Sequence, residues 1–171
     1  MSRRKTTRAL SPCSFYQHGW KLFQHGDLEG ARDTLLRSVD VDFDNAAAWG
    51  LLARVYEAMD EPQHAAEAAR QAIRSAPNDP HWCVVAATML MPLGLYDEAR
   101  LKIDRALELN PEHADAYFNR AIVNASQNKA AAAIADLKKA LELDKALYDI
   151  VDQVDEFETL REHKDFPKQE T

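Results

Sequence analysis

Two cysteines, five glycines and no long apolar run are what this 171-residue sequence has least of. Cys13 and Cys83 lack metal-ligand spacing and read as buried or incidental thiols, and so few of them suit a reducing, cytoplasmic setting. No apolar stretch approaches the ~18 residues that a bilayer-spanning helix takes, so no membrane partner is expected. Basic residues are outnumbered 21 to 28, and the net charge of −7 argues against a broad nucleic-acid or anionic-membrane footprint. A glycine-rich phosphate loop, an HExxH pair and a CxxC pair are all missing. The histidines, His18, His25, His64, His81, His113 and His163, are scattered, and although His18 and His25 share a helical face, two ligands do not make a metal site. The chain therefore reads as non-enzymatic, with no catalytic residue, metal or cofactor expected.

What the chain does hold is a repeated pattern, clearest from Ala46 to Asp79. Trp49, Leu52, Ala53 and Tyr56 fall at i, i+3, i+4 and i+7, one apolar stripe of a helix. After a break at Asp60-Glu61-Pro62, a second stripe of Ala65, Ala68, Ala69, Ala72 and Ile73 closes at Pro77, which cannot continue a helix. Single columns recur every 34 residues along the chain. Phe15, Trp49, Cys83 and Tyr117 form one; Gly19, Ala53, Ala87 and Ala121, four positions on, form another. The second stripe supplies Ala31, Ala65, Ala99 and Ala133, then Leu35, Ala69, Ile103 and Leu137, then Ser38, Ala72, Ala106 and Ala140. Between the stripes stand Gly26, Asp60, Gly94 and Asn128, residue types that accept a left-handed backbone at low cost. Small columns of this kind let helices approach closely, and the bulkier column fills the remaining space.

The run W-x-x-L-A-x-x-Y followed by A, A and P resembles the tetratricopeptide repeat. The likeness covers residues 12–147 as four repeats, at 12–45, 46–79, 80–113 and 114–147, and implies an all-α fold. Such a fold is an α-α superhelix, a right-handed solenoid of about nine helices in antiparallel pairs. Two positions depart from the pattern: Phe43 stands where Pro77 and Pro111 do, and Pro92 should end its helix early by removing a hydrogen bond to Thr88. The resemblance also implies a structural ion pair between Arg120 and Asp136. From Lys145 the period changes, and residues 148–171 are the expected C-terminal capping segment. Leu147, Ile150, Val151 and Val154 form a stripe suited to covering the last repeat. Phe157, Leu160 and Phe166 lie in an ending similar to those that follow some arrays of this family, and imply a C-terminal capping helix. Their docking on another subunit is the alternative.

Residues 1–11 carry Arg3, Arg4, Lys5 and Arg8 with no acid, and read as a solvated, flexible basic tail. A transit peptide or a nucleic-acid arm are the alternatives; a lipoprotein signal is excluded because no apolar stretch precedes Cys13 and Pro12 replaces the small residue wanted there. In the family that the repeats resemble, the first helix of each lines a concave side. The faces that the packing columns leave free there carry Tyr16, Gly50, Val84 and Phe118, then Trp20, Arg54, Thr88 and Ile122, with Phe23, Glu57 and Met91 beside them. These residues are the expected groove for a protein or peptide partner, unless the chain's own termini cover it. The carboxylate clamp of chaperone cofactors is not expected, since its places hold Tyr16, Trp20, Leu51, His81 and Val85, or Gly50, Arg54, Val85, Asp115 and Asn119 in the later frame. An adaptor that binds a peptide or helix is the first functional reading. A small escort chaperone for secreted proteins, and an assembly subunit that oligomerises through its ends, are the alternatives.

Overall fold

The computed structural model describes residues 12–168, with the side chains of residues 12 and 13 left out of the description. The basic tail expected at residues 1–11 lies outside the described residues. The fold is all-α, with no strand among the described residues. Its helices are α1 (Pro12–Gln24), α2 (Leu28–Val41), α3 (Ala46–Ala58), α4 (Pro62–Ser75), α5 (Pro80–Leu90), α6 (Tyr96–Leu109), α7 (Ala114–Ser126), α8 (Ala130–Leu143) and α9 (Tyr148–Val151). First helices begin at Pro12, Ala46, Pro80 and Ala114 and second helices at Leu28, Pro62, Tyr96 and Ala130, each spaced by the 34 residues of the repeat. They fall into two compact units, one ending at Ser75 and the other beginning at Ala76.

Local chemistry sets where these helices start and turn. Asp27 caps α2 by accepting from Gly30 N–H at 3.0 Å, and Asn45 caps α3 through Ala48 N–H at 3.0 Å. At α5, Asp79 accepts from His81 N–H at 2.9 Å while Pro80 takes the first helical position. The turn column behaves alike in all four hairpins: Gly26, Asp60, Gly94 and Asn128 have φ of 78°, 59°, 70° and 59°. A left-handed residue there reverses the chain between paired helices, which is why the column holds only Gly, Asp and Asn. Pro92 acts as its missing N–H requires, ending α5 at Leu90 and leaving a 3-10 turn over Met91–Leu93.

Packing follows the small columns. No residue of the three second-helix columns is more than 1% exposed, and Ala53, Ala87 and Ala121 are wholly buried. At Gly19 a Cβ would lie 2.7 Å from Leu35 Cγ, so only glycine lets α1 and α2 meet there. The bulky column is less deeply placed than the sequence implies. Trp49 is half-buried rather than a core ring, and its Nε1–H donates to Phe43 O at 2.8 Å. The Phe43 ring meets Trp49 edge to face at 5.4 Å and is 59% exposed. Phe43 thus replaces the usual proline with a pinned linker, whose carbonyl also accepts from Ser75 Oγ at 3.4 Å.

After α8 the chain covers the last hairpin with short pieces rather than one long helix. A 3-10 turn at Lys145–Leu147, the single turn of α9 and a 3-10 segment at Asp155–Leu160 carry Leu147, Val151, Phe157 and Leu160 inward. They join one cluster with Ile134, Leu137 and Leu141 of α8 and with Phe166, which terminates the apolar face as a repeat array requires. Ile150, expected in this stripe, is 40% exposed, because the 3-10 entry into α9 rotates it outward. Arg161 ties the segment back by donating from Nη2 to Asp152 O at 2.8 Å and Val154 O at 3.3 Å.

Candidate partner-binding site

In the unit ending at Ser75, α1 and α3 bring together a cation and two rings. Trp20 and Phe23, three positions apart on α1, share a face, and their ring centroids lie 6.2 Å apart at 44°. Arg54 reaches across from α3, with Cζ 6.0 Å from the Trp20 centroid and 5.5 Å from that of Phe23. Both rings are half-buried and Arg54 is exposed, so an aromatic floor supports a charge that faces solvent. Tyr16, one turn before Trp20, is half-buried on the same face. Glu57, one turn beyond Arg54, is exposed, yet desolvation by the surrounding protein holds its carboxyl above the usual range, with Arg54 opposing.

The residues expected on first helices of the other unit are placed differently from one another. Met91 and Thr88 are half-buried, and Thr88 Oγ1 is turned back to Val84 O at 3.1 Å, as a mid-helix threonine often is. Val84 is only 6% exposed and is core rather than surface. Phe118 is likewise 6% exposed, because the C-terminal segment lays Phe157 edge-on against it at 5.7 Å and 89°. Ile122 packs against the same cluster. Val84 and Phe118 therefore present no side chain to a partner, and at α7 the chain's own C-terminal segment takes the place that a partner was expected to fill.

A polar network joins α6, α7 and α8. Arg120 donates to Asp136 from Nε at 2.9 Å and from Nη2 at 2.7 Å, the fork-to-carboxylate geometry, and from Nη1 to Asp104 at 3.2 Å. The expected Arg120–Asp136 pair is thus formed. The hydrogen bonds to Asp136 raise the guanidinium's pKa against the opposing effect of burial. Asn124 is wholly buried between the charges, donating to Asp136 at 2.9 Å and accepting from Arg100 at 2.7 Å. Arg100 and Asp104 are an i, i+4 pair 3.7 Å apart, and Arg120 also lies 5.2 Å from the Tyr117 ring. Sequence reasoning missed Asn124, Arg100 and Asp104. The available signal was spacing, since Asn124 follows Arg120 by one turn and Arg100 precedes Asp104 by one turn.

Among the described residues no group of three or more His, Cys, Asp or Glu could hold a metal, and no helix is long and apolar enough to cross a membrane. Burial pushes the Cys83 thiol up, the opposite of what a nucleophile needs.

Solved structures share the fold at low identity. The Pseudomonas aeruginosa pilF structure superposes with a TM-score of 0.71 at 23% identity, covering 93% of this chain and 78% of that one. TTC0263 of Thermus thermophilus, described as a thermophilic TPR protein, gives 0.72 at 19% identity with 88% and 86% covered. YrrB, described as a TPR protein with an unusual peptide-binding site, gives 0.68 at 18% identity with 92% and 82% covered. No curated protein sequence matches the chain. The family model for the tetratricopeptide repeat matches residues 16–80 and 86–147, most of the sequence. With the columns, turns and hairpins already described, that match makes the chain a member of the tetratricopeptide repeat family, whose helical hairpins form protein-interaction modules of the α-α solenoid class.

Proposed function

We propose that the chain is a non-catalytic adaptor that binds a peptide or helix of another protein on the face built by α1 and α3. The single observation that carries this reading is the cluster of Trp20, Phe23 and Arg54, two large rings and a cation held at an exposed surface. Aromatic side chains and arginine are the groups that most often dominate binding energy at protein interfaces. Tyr16 and Glu57 flank the cluster, and Thr88 and Ile122 on first helices of the other unit, with Met91 in the turn after α5, are further, partly exposed candidates. The peptide-binding site named for YrrB is consistent with such a use of the fold but does not locate one in this chain.

The test contrasts two tryptophans. Trp20→Ala with Tyr16→Ala should leave the helical spectrum intact and weaken capture of partners from the native host by about 2 kcal/mol or more, if the rings are anchors. Trp49→Ala, which removes a hydrogen-bonded brace, should lower stability while leaving partner choice unchanged. Identical sets of captured proteins before and after the double substitution would overturn the reading.

A further inference from the structure

Arg54 is an exposed guanidinium seated against two rings and engaged in no ion pair within 4 Å among the described residues. With no ion pair to occupy them, its N–H groups keep their capacity for an acceptor. A guanidinium fork can take a carboxylate through two parallel hydrogen bonds, and the place of Arg54, 5.5 and 6.0 Å from the two ring centroids, sets such a carboxylate beside an aromatic surface. Glu57 stands one turn away on α3, near enough for its carboxyl to feel Arg54's charge but forming no bridge to it. The native acid thus leaves the fork open.

Resting on the reading of this face as a peptide site, we infer that its partner segment carries an internal Asp or Glu beside a bulky apolar side chain. The carboxylate pairs with Arg54, and the apolar neighbour lies on Trp20 and Phe23. Charge complementarity limits the segment to one acid at this point, because Glu57 and the chain's net charge of −7 repel a run of them. A side-chain carboxylate suits the site better than a chain end. Capture of a terminus uses several donors around the terminal backbone, and Tyr16, Trp20, Phe23 and Glu57 supply neither an amide nor a second cation.

The probes are heptapeptides acetylated at one end and amidated at the other, with Phe-Glu-Leu or Phe-Gln-Leu at the centre, titrated into the full chain and followed by NMR or fluorescence anisotropy. The Glu peptide should bind about five- to tenfold more tightly than its Gln counterpart, the worth of a charge-assisted pair at an exposed site. Arg54→Gln should abolish that discrimination, and Arg54→Lys should retain only part of it, since an ammonium lacks the fork. Trp20→Ala should weaken both peptides. Equal binding of Glu and Gln peptides, lost in Trp20→Ala, overturns the carboxylate inference and leaves the peptide-site reading standing. Tighter binding of a free-acid peptide ending in Phe-Leu than of the internal Glu peptide overturns it in favour of a chain end. No binding of any peptide also overturns it, and the host-partner comparison of Trp20→Ala then decides the broader reading alone.

Discussion

Asp136→Ala should be among the most damaging single substitutions in the unit that begins at Ala76. Its carboxylate accepts two hydrogen bonds from Arg120 and one from Asn124, at 2.7 to 2.9 Å, with only 12% of its side chain exposed. Removing it strands the Arg120 guanidinium, 23% exposed, on the single longer contact to Asp104, and leaves the amide of a wholly buried Asn124 without its acceptor. Breaking a fully buried pair costs about 3–5 kcal/mol, and the residual water and Asp104 contact at Arg120 reduce the expected loss here to about 2–4 kcal/mol. Asp104→Ala is the internal control. Asp104 is 42% exposed and its contacts to Arg120 and Arg100 are 3.2 and 3.7 Å, so its loss should stay under about 1 kcal/mol. Replacing both ions, Arg120→Met with Asp136→Leu, removes their desolvation cost and should recover much of the stability lost in Asp136→Ala. Urea melts followed by circular dichroism, with Trp82 fluorescence reporting on the unit that holds the network, measure all three. A loss below about 1 kcal/mol for Asp136→Ala, or equal losses for Asp136→Ala and Asp104→Ala, would refute the claim that this network is held as a buried unit.

Gly19→Ala places a Cβ 2.7 Å from the Cγ of Leu35, a side chain with no exposure, and should cost about 1–3 kcal/mol in the same melts, partly relieved by Leu35→Ala in the double variant. Phe157→Ala removes a ring with no exposure that covers Phe118, and should cost about 3–5 kcal/mol and raise the binding of a hydrophobic dye. Glu57 has a folded pKa raised above its ordinary value, chiefly by desolvation, so the folded state keeps this proton to higher pH than the unfolded chain does. Its contribution to stability therefore falls as pH rises from the ordinary carboxylate value through the raised one, and this part of the pH slope should vanish in Glu57→Gln; an unchanged slope would show that the carboxyl is not perturbed.

The fold was legible because the repeat states its packing four times over. Ala53, Ala87 and Ala121 cannot grow without separating helices, and Gly26, Asp60, Gly94 and Asn128 must each accept a positive φ, so both demands surface as columns at fixed spacing. The bulky column is a poorer guide to burial. Trp49 shares its place with the buried Cys83, but its ring is held at the surface by a carbonyl that only the Phe43 linker supplies, a contact outside the period. Asn124 was invisible for a related reason: an asparagine in mid-helix reads as surface until Arg100 arrives from another helix to close over it.

The open faces of first helices are less legible than the packing columns, because no steric demand makes their residues recur. Tyr16, Val84 and Phe118 occupy one column, yet Tyr16 is half-buried while the other two are core. For Phe118 the difference is made by Phe157, 39 residues downstream in a segment without the repeat's period. The same holds for the candidate site. Periodicity puts Trp20 and Arg54 in corresponding places on successive first helices, but their meeting over Phe23 depends on the reach of the arginine and on Gly19 and Leu35 drawing α1 against α2. The cluster's geometry is thus a consequence of the packing columns, while its chemistry rests on side chains that packing leaves free to vary, and under the proposed function partner specificity belongs to those side chains rather than to the repeat.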